Sequence, residues 1–237
     1  MKNKTLVLLV IPPKHPEPGA ARSPVSLDSA GNFAVLAATA VENTGETAIH
    51  GGDVGTSHGP AIIGFPPGTV APPHTTRAAD DAAQQAHTDL ATAYNAAAAM
   101  PSTHDLSGQD LGGLTLLPGV YSFASSAELN GTLTLNNQGN PKAKFVFQIG
   151  TTLTTGSDSS VILINGGPGA ETKSAVTWQV GTSATLGADS AFEGNILARD
   201  DITINTEASI RDGSALSEYG DVTLDSNRIT NDDPPPK

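Results

Sequence analysis

The side chains that most often carry out chemistry are spread along this chain rather than clustered. Six histidines all precede the repetitive second half of the sequence: His15, His50, His58, His74, His87 and His104. None of their intervals matches the spacing of zinc ligands, and the chain has no cysteine that could complete a zinc–thiolate site or act as a nucleophile. The sequence therefore predicts surface or loop histidines, with no metal site and no cofactor.

Acidic residues could form two other kinds of site. Asp201 and Asp221 occupy the same position in neighbouring repeats, as the clustered carboxylates of β-helix enzymes that cut acidic polysaccharides do. Their neighbours are small or aliphatic, and no aromatic residue offers a platform for a sugar, so we expect no catalytic residues and no enzyme. Asp158, Asp189 and Glu207 could instead stack and bind Ca²⁺ through their oxygens, although solvated surface charge is the simpler explanation.

Composition narrows the class of partner. The 237 residues carry a formal net charge of −12, from 12 Lys and Arg against 24 Asp and Glu. An acidic chain without a basic patch argues against binding to nucleic acid or to an anionic membrane. Hydrophobic residues make up 38% of the chain and aromatic residues only 4%, so its core must be built mainly from Ala, Val, Leu and Ile. The abundance of Thr, Ser and Gly favours repetitive β structure.

The two ends of the chain differ from the middle. Residues 1–22 combine early lysines, an apolar run at residues 6–11 and a final pair of alanines, which predicts a signal peptide or, alternatively, a disordered tail. The apolar run is too short to span a bilayer. Residues 231–237 contain a proline run that indicates a disordered tail or a linker. Residues 23–230 are predicted to form one domain.

This domain is predicted to combine one helix with many short strands. Residues 76–100 carry apolar side chains at three- and four-residue steps, with Thr75 or Thr76 as a cap and Pro101 as the stop. Because the repeated apolar residues are nearly all alanine, we expect this helix to lie close against the flank of a sheet.

The sequence after the helix repeats. Residues 147–151 match residues 178–182, and residues 201–204 match residues 221–224. A period of roughly 20 residues with glycine corners is typical of solenoids, in which each coil packs its apolar side chains against the coils above and below. The pattern therefore predicts a mainly β fold of stacked coils.

Many separate segments resemble the microbial ice-binding (antifreeze) proteins. The matching motifs occur in the family's order and are Asn32-Phe33-Ala34-Val35-Leu36-Ala37, Gly52-Asp53-Val54-Gly55, Gly64-Phe65-Pro66-Pro67-Gly68, Asp110-Leu111-Gly112-Gly113-Leu114-Thr115-Leu116, Phe145-Val146-Phe147-Gln148-Ile149-Gly150, Trp178-Gln179-Val180-Gly181 and Gly194-Asn195-Ile196-Leu197-Ala198. The resemblance covers about residues 24–230. It implies a right-handed β-solenoid (β-helix) of triangular cross-section with one long α-helix packed along one side, whose coils need not stack in sequence order.

The resemblance also implies a function. The protein would be secreted to the extracellular space, adsorb to ice crystals through a flat face rich in Thr and Ser, and inhibit ice growth and recrystallisation. Its partner would be the ice surface. The protein would bind no nucleic acid, would not insert into a membrane and would be a monomer. Stacked strands suit this task because stacking suppresses twist, and Thr combines a water-excluding methyl group with a hydroxyl on a stiff side chain. The alternative is an extracellular calcium-binding adhesion or cell-surface solenoid module.

The family's ice-facing motif is a Thr, a small residue, any residue, and then Thr or Asn. Thr44-Gly45-Glu46-Thr47 matches this motif, and the repeat alignment adds further segments at the same position. The predicted ice-contacting residues are Thr44, Thr47, Ser157, Ser160, Ser190, Thr206 and Ser209. The second motif position is acidic in three segments, and carboxylates hold water strongly, so we expect modest activity. The alternative explanation is that Thr and Ser occupy these outward positions only because they favour β structure.

Overall fold

The computed structural model describes residues 25–167 and 175–231. The predicted signal peptide or tail at residues 1–22 lies outside these residues, as does all but the first residue of the predicted tail at 231–237. Within the described residues, no helix combines the length and the apolar character needed to cross a membrane.

Short strands make up most of the described chain. A 3₁₀ turn, Asp28–Asn32, precedes β1 Phe33–Ala37, β2 Ala40–Thr44, β3 Ala48–His50, β4 Asp53–Thr56, β5 Ala61–Ile63, β6 Thr69–Val70 and β7 Thr76–Ala78. The helix α1, Asp81–Ala98, follows. After it come β8 His104–Asp105, β9 Thr115–Leu116, β10 Gly119–Phe123, β11 Ala127–Leu129, β12 Thr132–Asn136, β13 Phe145–Ile149, β14 Leu153–Thr155, β15 Ser160–Ile164, β16 Val176–Val180, β17 Ala184–Leu186, β18 Ala191–Glu193, β19 Asn195–Ala198, β20 Ile202–Ile204, β21 Ser209–Arg211, β22 Ala215–Ser217, β23 Val222–Asp225 and β24 Arg228–Thr230.

Parallel pairing joins these strands into three sheets, as the predicted stack of coils requires. The nine-stranded sheet has the order β7-β4-β1-β22-β19-β16-β13-β10-β8. The seven-stranded sheet has the order β11-β14-β17-β20-β23-β2-β5, and the eight-stranded sheet has the order β6-β3-β24-β21-β18-β15-β12-β9. Each coil from β10 onward contributes one strand to each sheet in turn. The predicted repeats are confirmed, because Phe147 pairs with Trp178 and Ile202 pairs with Val222.

The coils do not stack in sequence order. The first coil, β1 to β3, lies between the last coil, β22 to β24, and the second coil, β4 to β6. Val35 accordingly pairs with Ala215 on one side and with Val54 on the other. The first and last coils therefore lie side by side within the stack, and the coils stack out of sequence order, as the resemblance to ice-binding proteins allowed.

The helix begins later than predicted. The sequence pattern indicated residues 76–100, but Thr76–Ala78 forms the edge strand β7, which pairs with β4, and the helix spans Asp81–Ala98. Asp80, rather than Thr75 or Thr76, is the cap: its carboxylate accepts a hydrogen bond of 2.9 Å from the Ala83 N–H. That hydrogen bond is the main cause that lowers the pKa of Asp80.

The helix covers the outer face of the nine-stranded sheet. It follows β7 at one edge of this sheet and precedes β8 at the other, so it carries the chain along the stack. Its 18 residues span about 27 Å, whereas the eight steps between nine strands span about 38 Å. The buried residues of the helix, with Leu90 at their centre, pack on Leu36, Leu197 and Leu216 of the sheet. The small alanines allow the close approach that the sequence predicted.

The core lies between the three sheets. Equivalent inward positions of successive coils stack on one another, which is most evident among the aromatic residues. The ring centroids of Tyr121 and Phe147 are 5.4 Å apart, and those of Phe147 and Trp178 are 3.9 Å apart. Phe192 of the eight-stranded sheet packs on Trp178 across the core, with ring centroids 4.8 Å apart. This packing ties each rung to its neighbours, so the sheets are held in fixed register.

Candidate functional site

One outward position of the seven-stranded sheet carries threonine on four neighbouring strands. Thr154 of β14 pairs with Thr185 of β17, and Thr203 of β20 lies between Thr185 and Thr223 of β23. The residues on either side of each threonine are buried, so the threonine side chains point outward. We call Thr154, Thr185, Thr203 and Thr223 the threonine column. Its length is about 14 Å, because neighbouring strands are about 4.8 Å apart.

The hydroxyl groups of the threonine column are free to bind water. Within the described residues, no protein group forms a hydrogen bond with any of these four hydroxyls. Thr154 and Thr223 are exposed, and Thr185 and Thr203 are half-buried by their neighbours. Each methyl group restricts where water can stand, and the stiff χ1 angle keeps each hydroxyl in place. The column can therefore hold a row of water molecules at the spacing of the strands.

A shorter hydroxyl column runs beside the first. Thr152 and Ser183 precede β14 and β17, and the Leu153 N–H donates to the Ser183 carbonyl at 3.1 Å, which continues the strand register. Asp201 and Asp221 take the same position on the next two coils. The Asp201 carboxylate accepts the Asp221 N–H at 3.0 Å, and the Asp221 carboxylate accepts the Ala40 N–H at 2.9 Å. These two acids therefore bind the backbone of the next coil.

Acidic residues flank the threonine column at both ends. Glu128 of β11 pairs with Thr154, and Glu42 of β2 pairs with Thr223. Both glutamates are exposed. Beyond Glu42 the same position is occupied by Ile63, which is 55% exposed. The run of threonine is thus limited to four of the seven strands.

The predicted motif lies at the corner between the seven-stranded and eight-stranded sheets. In each of five coils the second residue of the motif has a left-handed backbone conformation. The φ values are 78° at Gly45, 57° at Asp158, 58° at Asp189, 59° at Glu207 and 54° at Ser226. The N–H groups of the last four of these residues each donate to the carbonyl of the first motif residue of the next coil, at 2.9–3.1 Å. A Cβ atom at Gly45 would overlap Ser226 Oγ, so a larger residue there would require the Ser226 side chain to turn away. The hydrogen bonds and the pairing of Thr44 with Asp225 confirm the repeat alignment at the first two positions of the corner.

Three of the predicted residues stand at the first position of this corner. Thr44, Ser157 and Thr206 are exposed and lie at the edge of the seven-stranded sheet. The hydroxyls of Thr44 and Ser157 have no hydrogen-bond partner within the described residues. Thr206 differs, because its hydroxyl donates to the carboxylate of Asp225.

Two further predicted residues lie on the eight-stranded sheet instead. Ser160 and Ser209 are the first residues of β15 and β21, and both are half-buried. Ser160 exchanges a hydrogen bond of 2.9 Å with Thr132, and Ser209 donates to the Ser190 carbonyl at 3.3 Å. Both hydroxyls thus serve contacts within the protein.

The last two predicted residues are buried, which corrects the sequence-based set. Thr47 is 0% exposed and Ser190 is 1% exposed. Thr47 Oγ1 accepts the Asn227 N–H at 3.0 Å, so it satisfies the backbone of the next coil. The first coil has one more residue at this corner than the last coil, since Ala48 pairs with Arg228, and the extra residue turns Thr47 inward. Neither hydroxyl reaches the surface.

The other two sheets offer different surfaces. The outer face of the nine-stranded sheet is covered by α1. The eight-stranded sheet is open, but its outward positions mix residue types: Ser209 pairs with Arg228, Glu193 pairs with Arg211, and Ile162 is 42% exposed. The threonine column is therefore the longest run of one hydroxyl residue type that the strand pairing brings together on an open sheet.

Catalytic and metal sites find little support among the described residues. No group of three or more His, Asp, Glu or Cys residues could hold a metal ion there. Asp158, Asp189 and Glu207 share a corner, and they form no such group.

One segment that the sequence analysis did not name, Gly55-Thr56-Ser57-His58-Gly59, has the spacing of a nucleophile elbow. The segment joins β4 to β5 rather than a strand to a helix, and Ser57 is 2% exposed.

The threonine column lies outside the predicted ice-contacting residues, because those residues follow the family motif, which falls at the corner. Its signal was available in four triplets with a central threonine, flanked by apolar residues except at Thr155: Leu153-Thr154-Thr155, Ala184-Thr185-Leu186, Ile202-Thr203-Ile204 and Val222-Thr223-Leu224. Two of these triplets were aligned as repeats. Only the strand register shows that all four threonines fall on one line.

The stacked coils and their three parallel sheets define a β-solenoid. Its candidate site is an extended, hydroxyl-bearing face rather than a pocket. A family model described as ice-binding-like matches residues 35–230, so the chain belongs to the ice-binding-like family. It is 49% identical over 205 residues to an ice-binding protein of Nostoc sp. (strain HG1), covering 86% of this chain and 73% of that relative.

Solved structures of similar proteins share the fold. The crystal structure of an ice-binding protein from an Antarctic biological consortium has a TM-score of 0.82 and 40% identity, covering 91% of this chain and 95% of that chain. The ice-binding protein of the Antarctic ascomycete Antarctomyces psychrotrophicus has a TM-score of 0.82 and 41% identity, covering 90% of this chain and all of the other.

Proposed function

We propose that this protein adsorbs to ice through the outward face of the seven-stranded sheet, with the threonine column at its centre. Family membership and the names of its relatives support ice as the partner. The observation that selects the surface is the strand register, which aligns Thr154, Thr185, Thr203 and Thr223 with free hydroxyls on one open sheet.

The chemistry of threonine fits a repeating lattice of water. Ice presents no pocket, so a protein must recognise it with a flat surface that already holds water in order. Stacked strands are flat, and they repeat about every 4.8 Å. The methyl groups exclude disordered water, the hydroxyls anchor ordered water, and stiff side chains lose little entropy on docking. Adsorbed protein then slows ice growth and recrystallisation.

The exposed corner residues extend this surface. Thr44 and Ser157 border the seven-stranded sheet with free hydroxyls, and Thr152 and Ser183 widen it on the other side of the column. Thr206 contributes its methyl group, because its hydroxyl is bound to Asp225. Ser160 and Ser209 lie around the corner, where they contribute to the rim of the surface at most.

The proposal also includes the shape of the solenoid, the place where the protein acts and its oligomeric state. The solenoid is right-handed and triangular in cross-section, with one sheet along each side. The protein acts outside the cell as a monomer, by adsorption rather than catalysis, and needs no cofactor. The net charge of −12 supports a protein that binds neither nucleic acid nor an anionic membrane surface.

Microscopy of ice crystals growing in the purified protein tests the proposed surface. We expect faceted crystals and measurable thermal hysteresis with the unaltered protein. Thr203→Tyr places a ring in the middle of the column and should abolish most of the hysteresis. Thr134→Tyr is the matched control, because Thr134 is a half-buried, outward threonine in mid-strand on the eight-stranded sheet. Equal losses from both variants, or no loss from Thr203→Tyr, would contradict this assignment.

A further inference from the structure

The ends of the threonine column are set by single residues. The backbone of the seven-stranded sheet continues beyond Thr154 and Thr223, and β11 and β2 keep the register of the column. Glu128 lies between Ala127 and Leu129, which are both buried, so its side chain points outward as those of the threonines do. The scaffold for a longer column is therefore already present.

Glu42 occupies the corresponding position at the other end. Its strand β2 pairs with β23 over four residues, from Val41 with Val222 to Thr44 with Asp225. Val41 and Asn43 on either side of Glu42 are buried, so Glu42 also points outward. Within the described residues, neither Glu42 nor Glu128 has a side-chain hydrogen bond or an ion pair. Replacing these side chains removes no hydrogen bond or ion pair within the described residues.

A carboxylate interrupts the ordered water that the column holds. It binds water strongly at its own geometry, and a glutamate side chain has more rotamer freedom to lose on docking than a threonine. We propose that Glu42 and Glu128 define the two ends of the ice-contacting surface and so limit its activity. This inference rests on the proposed function of the threonine column.

Extending the column should therefore raise activity. The double variant Glu42→Thr/Glu128→Thr aligns six threonines instead of four. Because the favourable contribution of contact scales with area, we expect thermal hysteresis to rise roughly 1.5-fold at equal protein concentration. Threonine favours strands more than glutamate does, so the melting temperature should not fall. Each single variant should give an intermediate rise.

The control Glu42→Gln/Glu128→Gln removes the same two charges without adding threonine. We expect a smaller rise in hysteresis than the Thr variant gives, because the strongly hydrated carboxylates are gone but glutamine keeps the rotamer freedom of glutamate. An equal rise in the Gln and Thr variants would overturn the inference, because net charge alone would then explain the gain. No rise in a folded Thr variant would overturn it as well.

A third measurement separates this inference from the proposed surface. Thr203→Tyr is added to the extended column, and we expect it to abolish the gain together with the basal hysteresis. If Thr203→Tyr abolishes basal activity while the extended column gives no gain, only the role of Glu42 and Glu128 is wrong. If Thr203→Tyr has no effect in either background, the threonine column is not the ice-contacting surface and both proposals fall.

Discussion

The seven-stranded and eight-stranded sheets are built from the same coils, yet their outward faces differ. Each coil from β10 to β24 supplies both sheets, so strand spacing and flatness are shared. Along the seven-stranded sheet threonine recurs at one position on four strands. On the eight-stranded sheet Thr115 pairs with Thr134, but Thr134 then pairs with Ile162, and Glu193 pairs with Arg211. A flat scaffold is therefore not enough, and repetition of one side chain in register distinguishes the candidate surface.

The largest effect should come from the core beneath the two open faces. Leu186 lies directly behind Thr185, and Leu135 lies behind the eight-stranded sheet; both are 0% exposed. Leu186→Ala and Leu135→Ala should each lower the free energy of unfolding by about 2–5 kcal/mol, because each leaves a cavity in a packed core. At a temperature where both variants are folded, only Leu186→Ala should also lower thermal hysteresis, since it lets the column shift.

Denaturant unfolding and hysteresis measured on the same samples check this expectation. If Leu135→Ala lowered hysteresis as much as Leu186→Ala does, activity would follow general stability rather than the order of one face. The contrast between the two sheets would then carry no functional meaning.

The fold of this chain was largely predictable from sequence, and the site was not. Strand segments such as residues 147–151 and 178–182 repeat clearly, because each must bury the same pattern on its neighbour. The helix was predicted five residues too long at its start, since Thr76–Ala78 has no local signal that distinguishes an edge strand from a first helical turn.

The site depended on register, which is a property of non-adjacent strands. Thr47 matches the family motif in sequence, yet one extra corner residue turns it inward. Thr185 belongs to no motif, yet strand pairing places it between two other threonines. A short motif reports local turn geometry, whereas the surface is defined by what lies one coil away.

An effect of intermediate size should come from Glu193 of the eight-stranded sheet, which makes the stability of the protein depend on pH. Glu193 is 5% exposed, and burial, with the neighbouring Asp212, raises its pKa to about 8 from 4.5; Arg211 opposes this shift. The folded state thus binds a proton more tightly than the unfolded chain does. The contribution of Glu193 to stability is fully present below about pH 4.5 and falls as the pH rises toward 8. The loss should be on the order of a few kcal/mol.

Thermal unfolding measured between pH 5 and pH 8 checks this dependence, because this range lies between the ordinary pKa of Glu193, 4.5, and its raised pKa of about 8. Glu193→Gln keeps a neutral polar side chain and should flatten the curve of melting temperature against pH. Hysteresis of the folded protein should not vary over this range, because no titrating group lies in the threonine column. A curve for Glu193→Gln as steep as that of the unaltered protein would show that other groups cause the dependence.

The smallest effect should come from removing one methyl group from the column. Thr203→Ser keeps the hydroxyl but loses both the methyl group and the stiffness of χ1 that branching provides. We expect a partial loss of hysteresis, well below that caused by Thr203→Tyr, because the hydroxyl still binds water but no longer holds it at one place. Thr134→Ser makes the same change on the eight-stranded sheet and should have no effect. Full activity of Thr203→Ser would mean that hydroxyl groups in register suffice, and that the methyl groups of the column contribute nothing to ice recognition.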